Sequence, residues 1–479
     1  MANADSSIPL FVDLDGTLIK TDTMVEAVLS LLRARPLSVF AMLGWLAGGK
    51  AVFKAQLAKC ITLDLAGLPI NPEFLAYLEV EHAKGRRMTL ISASHQSVVD
   101  SALRQFEFFV AGFGSDDLTN LKSEKKLQKI QQLTEDSGFA YAGDSSADLV
   151  IWQQAEQIIL VNCDAAVTKK ARQSAPSNSQ LIELDQPPAL TPNLFKAMRV
   201  HQWLKNLLVF LPLILSHQLN QPVLLGLNVV AFISFCFCAS SVYLLNDLLD
   251  LSSDRTHDSK SGRPFAAGTL PLKVGLLGTP VLFAASVLLA IGVGTAFLSA
   301  ILLYWAVTCL YSFYLKRVFL VDVVTLAFLF TMRVVAGSAA IGVVTTDWLL
   351  AFTGFLFLGL AVVKRVIELT NLKSKGLTTT EGRGYSVDRL QQITILGSMS
   401  SLAAVVIFAV YINSPATLNL YQSPNMLWGI CPLLLIMLAR VWRAALSGDL
   451  NEDPVLFAAE DRPSQIMLLV CAILLWLAI

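Results

Sequence analysis

Asn246, Asp250 and Asp254 stand four residues apart in NDLLDLSSDRTHDSKSGRPFAAG, the stretch from Asn246 to Gly268. On a helix continuing past Leu245, that spacing lines their oxygens along one face at intervals of about 6 Å. Oxygen ligands with room for water suit Mg²⁺, which normally binds through one or two carboxylates plus the phosphates of a substrate. Asp247 beside this ladder is a further ligand or a residue fixing the helix end. Arg255, His257, Lys260 and Arg263 follow at once, donors able to grip the same phosphates. The competing reading, a solvated loop whose acids and bases pair with each other, is outweighed by the regular spacing.

A second constellation opens the chain. Pro9 to Leu18 reads PLFVDLDGTL, an apolar strand ending in Asp13 and Asp15 on one side of the strand end, where both can face one metal and one phosphate. Met88–Ile91 is a second short strand, ending at Ser92. Lys126 lies in NLKSEKK with Lys125 beside it, and a strand over Phe139–Ala142 ends in Gly143-Asp144-Ser145-Ser146-Ala147-Asp148. In this order the four pieces resemble the motifs of the haloacid dehalogenase superfamily of phosphotransferases. Read as turn-formers and helix caps, these acids are explained singly but not as a set.

That resemblance implies an α/β Rossmann-like domain in which Asp13 is the nucleophile that becomes an aspartyl-phosphate. Asp15 would be the acid/base that protonates the leaving group and then activates water. Asp13, the Asp15 carbonyl and Asp144 would hold Mg²⁺, with Asp148 a further ligand or an orienting residue, and Ser92 and Lys126 would bind the phosphoryl oxygens.

The elements that must position these residues divide the chain. With 479 residues, 54% of them hydrophobic, and a mean hydropathy of +0.60, at least one part belongs in lipid. Up to about Pro192 short apolar runs alternate with charge, and beyond it apolar runs of membrane length dominate. We therefore expect a phosphatase-like domain over 1–172, a linker over 173–193 and a membrane domain over 194–479. The linker, QSAPSNSQLIELDQPPALTPN, is rich in Pro, Ser, Asn and Gln. A mostly helical cap is inserted at about 22–69. Its middle, Leu37 to Val52, carries Phe40, Met42, Leu43, Trp45 and Leu46 with Arg33, Arg35, Lys50 and Lys54 around it. It leans on the membrane surface or packs on the core.

Lys and Arg together number 36, as do Asp and Glu. The zero net charge averages two unlike halves and gives no case for nucleic-acid binding. The seven cysteines are scattered and lack metal-ligand spacing, so they read as reduced and buried. Ile8–Val12 is too short for the apolar core of a signal peptide, so the N-terminal domain should stay in the cytosol.

Beyond the linker we expect an all-α polytopic bundle of about nine spans. These run from Leu204–Leu219 and Val223–Leu245 through Val274–Val293, Ala296–Leu315, Val318–Ile341, Trp348–Leu369, Ile393–Ile412 and Leu427–Ala445 to Ser464–Ile479. Basic residues crowd alternate loops only, which places the Asn246–Gly268 loop, the Lys364–Arg389 loop and the N-terminal domain together on the cytosolic face of an inner membrane. Arg333, inside the fifth span, should face the bundle interior and either a structural partner or an anionic substrate group.

This bundle, with NxxxDxxxD opening a cytosolic loop, resembles the UbiA-type superfamily of intramembrane prenyltransferases from Phe195 to Ile479. Arg199, Gln202, Trp203, Lys205 and Asn206, then NDxxDxxxDRxH with Arg263-Pro264 and Ala266-Ala267-Gly268, fit its decaprenyl-phosphate phosphoribosyltransferase branch. Lys364-Arg365 with Glu368, Tyr385, Asp453-Pro454 and Asp461-Arg462 fit the same branch. Ordinary prenyltransferases carry a second aspartate-rich motif where this chain has Glu381, Asp388 and many bases. One metal and several cations fit phosphoribosyl diphosphate plus a polyprenyl phosphate. The resemblance implies Mg²⁺ held by Asn246, Asp247, Asp250 and Asp254, and phosphates neutralised by Lys205, Arg255, Lys260, Arg263, Arg333, Lys364, Arg365 and Arg383 near Tyr385. The phosphatase-like domain would then remove the ribose 5-phosphate. The alternative is transfer of a prenyl group from a prenyl diphosphate to an aromatic or other acceptor. A third reading is a non-catalytic transporter or lipid-binding scaffold, against which the clustered acids argue. Membrane lipids are partners on any reading, and nothing decides between monomer and homo-oligomer.

Overall fold

The computed structural model describes residues 8–116, 119–135, 137–377, 384–448, 450 and 454–479, without the side chains of 50, 51, 416 and 459. Glu381, Arg383 and Asp453 lie outside the described residues. Two compact units make up the chain, Met1–Val200 with Tyr243–Thr279, and His201–Val242 with Pro280–Ile479.

In the first unit, six parallel strands form one sheet in the order β3-β2-β1-β4-β5-β6. They are β1 (Leu10–Val12), β2 (Met88–His95), β3 (Ala111–Ser115), β4 (Ala140–Gly143), β5 (Gln157–Val161) and β6 (Gln180–Leu184). β1, β4 and β5 are buried at every residue, which is why they read as unbroken apolar runs rather than alternating ones. Strand order reverses direction between β1 and β4, and ligands in such sheets bind beyond the carboxyl ends of the strands at that point. Asp13 follows β1, Asp144 follows β4, and Ser92 lies in β2.

The stretch expected as a linker holds β6, which pairs in parallel with β5 and sets Ile182 and Leu184 against the core. Its surroundings of Pro, Ser and Gln signalled a loop. An edge strand needs only one neighbour, and the four residues LIEL suffice for it.

The cap is built from α1 (Thr23–Ala34), α2 (Ser38–Ala47) and α3 (Lys50–Cys60). Asp22 caps α1, accepting from the N–H groups of Met24 and Val25. Ala27 and Leu31 of α1, Met42 of α2, and Phe53 and Leu57 of α3 pack into a small cluster. The core continues with α4 (Pro72–Ala83), α5 (Gln96–Gln105) and α6 (Glu124–Thr134).

Among the described residues, seven helices are long and apolar enough to cross a membrane: Pro222–Leu249, Leu272–Val293, Thr295–Phe313, Val321–Ile341, Asp347–Ser374, Val387–Ile412 and Pro424–Ser447. The first and last of the nine expected spans form shorter apolar helices, Val200–Leu215 and Arg462–Ala478. Val200–Phe210 is wound as a 3-10 helix, whose rise of about 2.0 Å per residue carries a short segment farther than an α-helix does. All seven cysteines are unpaired; Cys60 is exposed, against expectation, because it ends α3 on the cap surface.

Candidate active sites

Asp13 begins the first site. The Leu14 N–H donates to its Oδ1 at 2.8 Å, and the Lys126 ammonium sits 2.8 Å from its Oδ2. Lys126 reaches there from the buried face of α6, whereas Lys125 on the same helix is exposed. Lys126 also donates to the Tyr141 hydroxyl at 2.8 Å and lies 3.7 Å from Asp148 Oδ1. The Tyr141 hydroxyl in turn donates to Asp148 at 2.7 Å, and Ser145 donates to the other oxygen of Asp148 through its N–H and hydroxyl.

Asp144 completes the group. One oxygen from each of Asp13, Asp144 and Asp148 lies within 4.8 Å of the others, and among the described residues no other three His, Cys, Asp or Glu side chains gather so closely. Gly16, with φ +80°, passes so near that a Cβ would overlap the Asp144 carboxylate. Burial, opposed by Lys126 and reinforced by Asp148, pushes the Asp13 carboxyl up to about 6. Burial and the neighbouring carboxylates push Asp144 well above the carboxylate range. One lysine leaves three crowded acids short of positive charge, so the donor set fits a divalent cation with oxygen ligands.

Asp15 is held apart from that trio by its own partners. The Thr23 N–H donates to its Oδ1 at 2.8 Å, and the Ser94 hydroxyl makes a short bond to its Oδ2. Ser94 is also within 2.7 Å of the Thr23 hydroxyl. Burial and Asp22 raise the Asp15 carboxyl. Ser92 is fully buried, and its hydroxyl accepts from the Ser94 N–H at 3.1 Å. Ser94, Thr23 and Tyr141 were not singled out in the sequence. Period two along β2 and β4 puts Ser94 on the face of Ser92, and Tyr141 on that of Gly143.

The acidic ladder differs from its expectation. The helix runs to Leu249, halts at Asp250, and restarts over Leu251–Thr256. Bonds of 2.9 Å from Asp250 N to Asn246 O and 2.8 Å from Asp254 N to Asp250 O carry the four-residue spacing across the break. Asp247 is buried and bonded to Arg199 at 2.5 Å and to Arg263 at 3.1 Å. Arg263 also holds Asp254 at 2.7 Å. Asp247 thus ties the helix end to Arg199 and Arg263. Asp250 Oδ1 lies 4.0 Å from Arg33 of α1, whose other nitrogen donates to Ser252 at 2.7 Å.

Arg255, expected on phosphate, points to the cap. Its Nη2 and Nη1 donate to the two oxygens of Glu26 on α1 at 2.6 and 3.2 Å, and its Nε to the Ala266 carbonyl at 3.2 Å. Thr21 donates to the same Glu26 at 2.7 Å. Lys260 is half-buried.

In the second unit Arg333 is buried and satisfied by neutral groups. It donates to Asn206 at 2.9 Å, Tyr304 at 3.0 Å and the Leu329 carbonyl at 2.7 Å, and lies over the Phe330 ring. Asp322, on the same helix as Arg333, pairs with Arg365 at 2.6 Å and accepts a short bond from Tyr385. Arg365 also pairs with Glu368 at 2.5 Å. Lys364 is half-buried on the same helix, and Lys205 lies 5.8 Å from the Phe330 ring centre.

The UbiA prenyltransferase family matches residues 207–477, and the haloacid dehalogenase-like hydrolases match residues 10–151. The uncharacterized protein y4nM of Sinorhizobium fredii is 34% identical over 468 residues, 96% of this chain and 89% of its own. Nodulation protein NoeC of Azorhizobium caulinodans is 30% identical over 281 residues, 58% of this chain and 90% of its own. Decaprenyl-phosphate phosphoribosyltransferase of Mycolicibacterium smegmatis is 27% identical over 289 residues, 59% of this chain and 91% of its own.

Proposed function

Since the chain belongs to the UbiA prenyltransferase family of integral membrane proteins and carries a haloacid dehalogenase-like hydrolase domain, we propose that it makes a phosphoribosyl lipid and then dephosphorylates it. The first step moves phosphoribosyl from 5-phosphoribosyl 1-diphosphate to a polyprenyl phosphate and releases diphosphate. What carries this reading is the likeness, along 91% of its length, to a protein named for phosphoribosyl transfer onto decaprenyl phosphate.

In the transfer, a phosphate oxygen of the lipid attacks C1 of the ribose as diphosphate leaves. Mg²⁺, when bound, supplies charge neutralisation at the departing diphosphate. Asn246, Asp250 and Asp254 are the residues assigned to hold it, Asp254 after giving up Arg263. Lys205, Lys260, Lys364 and Arg383 are assigned to phosphate oxygens on sequence grounds. Asp247, Arg255, Arg333, Arg365 and Tyr385 are reassigned to holding the protein in shape, because protein groups already occupy their polar atoms.

In the hydrolysis, Asp13 attacks the phosphorus of the ribose 5-phosphate while Lys126 and Ser92 hold its oxygens. Asp13, Asp144 and Asp148 are the residues for a second Mg²⁺. Asp15, its carboxyl raised by burial, gives its proton to the leaving ribose oxygen and then takes one from the attacking water. Positive charge on alternate loops supports a cytosolic location for both sites.

The test is mass spectrometry of lipids made from labelled phosphoribosyl diphosphate in vesicles holding the protein. Asp13→Asn should accumulate the 5-phosphorylated lipid, and Asp250→Ala should make little of it. Label entering lipid only from a prenyl diphosphate would show prenyl transfer instead.

A further inference from the structure

Within the cap, α2 buries Met42 alone and half-buries Trp45. Leu37, Phe40, Leu43 and Leu46 are exposed by 79, 69, 61 and 53%. At three-residue spacing they sweep about half the helix circumference, a contiguous apolar face of the kind that marks an interaction surface. No acid occurs between Glu26 and Asp64, whereas Arg33, Arg35, Lys50, Lys54 and Lys59 do.

The position of the cap says what covers that face. Arg33 bonds Ser252, three residues beyond the end of the Pro222–Leu249 span. Asp22, at the other end of α1, holds Lys273 at 2.9 Å, in the first turn of the Leu272–Val293 span. Both ends of α1 are thus pinned where membrane-crossing helices leave the apolar zone, and α2 begins only a few residues later.

We propose that α2 is an interfacial helix, lying in the surface of the bilayer that the spans cross. Leu37, Phe40, Leu43 and Leu46 enter the acyl region, and the exposed Arg35 and Lys59 face anionic headgroups. The docking holds the mouth of the Asp13 site at the lipid surface. Selectivity for a lipid-borne phosphate over a soluble one follows from it, and this last consequence rests on the function proposed above.

The test uses the full chain in vesicles of phosphatidylethanolamine, with or without phosphatidylglycerol. With Cys60, Cys309 and Cys471 replaced by serine, a fluorophore is placed at Leu43→Cys or, as a control elsewhere on the domain, at the exposed Glu107→Cys. Brominated lipid should quench the first label and not the second, more strongly with phosphatidylglycerol present. Equal quenching at both positions, or none at Leu43→Cys, overturns the proposal. So does shielding of that label from both lipid and water with crosslinking into dimers, which would mean a second copy covers the face.

A second arm reads selectivity. Phe40→Asp with Leu43→Asp should cut hydrolysis of the lipid phosphate by about tenfold or more and leave p-nitrophenyl phosphate turnover within about twofold. Loss of both activities would mean that the cap has misfolded rather than undocked, and overturns the selectivity. If no phosphoribosyl lipid is a substrate at all, the function proposed above fails, while the quenching still decides where α2 lies.

Discussion

The chain carries two sets of acids, and they are managed in opposite ways. Asp13, Asp144 and Asp148 crowd together around one lysine, with the carboxyls of Asp13 and Asp144 pushed upward. Asp247 and Asp254 each lie against an arginine, and Asp250 is 4.0 Å from a third. The phosphatase-like site is short of positive charge and ready to receive a cation. The acidic loop is already balanced, so a metal diphosphate bound there, on the function proposed above, would compete with arginines for the carboxylates. A preformed site favours tight metal binding, whereas an exchange of partners ties binding to a rearrangement of the loop.

The sharpest way to break this contrast is to remove one site and watch the other. Asp13→Asn should lower phosphate release by about 10³-fold or more while transfer continues. Asp250→Ala should lower transfer by about 10²-fold while p-nitrophenyl phosphate hydrolysis continues. If each variant lost both activities, the two sets would have to be parts of one site.

Next in size is the Glu26–Arg255 pair, whose side chains are 5 and 9% exposed. Removing one partner of a buried pair costs about 3–5 kcal/mol, so Glu26→Ala should lower the unfolding midpoint clearly. Glu26→Arg combined with Arg255→Glu should recover part of the loss in a double-mutant cycle. Arg263→Ala should cost less, about 1–2 kcal/mol, because Arg263 is 27% exposed and water reaches the acids it leaves. Chemical denaturation of the reconstituted protein would rank the two.

The smallest effect is the most diagnostic of the charge deficit. Without metal, Asp144→Asn should melt about 1 kcal/mol higher than the native sequence, since it removes a buried carboxylate from a crowd of them. The native chain should gain about 1–3 kcal/mol from millimolar Mg²⁺, and the variant little. The metal-free protein should also depend on pH with the sign of a raised acid. The Asp13 contribution is fully present below its unfolded value of 3.8 and is lost as pH rises through about 6. Asp13→Asn should flatten the melting temperature over that window.

The two sets of acids were unequally legible in the sequence. Asp13, Lys126 and Asp144 were readable because each sits at the end of a strand or on a helix whose local pattern fixes its direction. Ser92 was readable because it alternates with the apolar residues of β2, which runs on to His95 rather than ending at Ser92. Lys126 was separated from Lys125 only by the face that α6 buries. The Asn246–Asp250–Asp254 spacing survived, but its partners did not announce themselves. Arg199 is 48 residues from Asp247, and Glu26 is 229 from Arg255. The partners of the intramembrane charges were hidden in the same way, because Arg365 finds Asp322 across 43 residues and Tyr385 finds it across 63. Spacing along the chain reports on one helix face. It carries no information about what a tertiary fold brings to that face.

α1 reaches the neighbourhood of both sets of acids. At its start the Thr23 N–H holds Asp15, and on its flank and at its end Glu26 and Arg33 hold Arg255 and Ser252. From Thr23 to Arg33 is about 15 Å along the helix axis. Splitting the gene at the boundary after β6 would therefore not yield two independent enzymes. One polypeptide would keep Glu26 and the other Arg255, so each would carry a buried charge that has lost its partner.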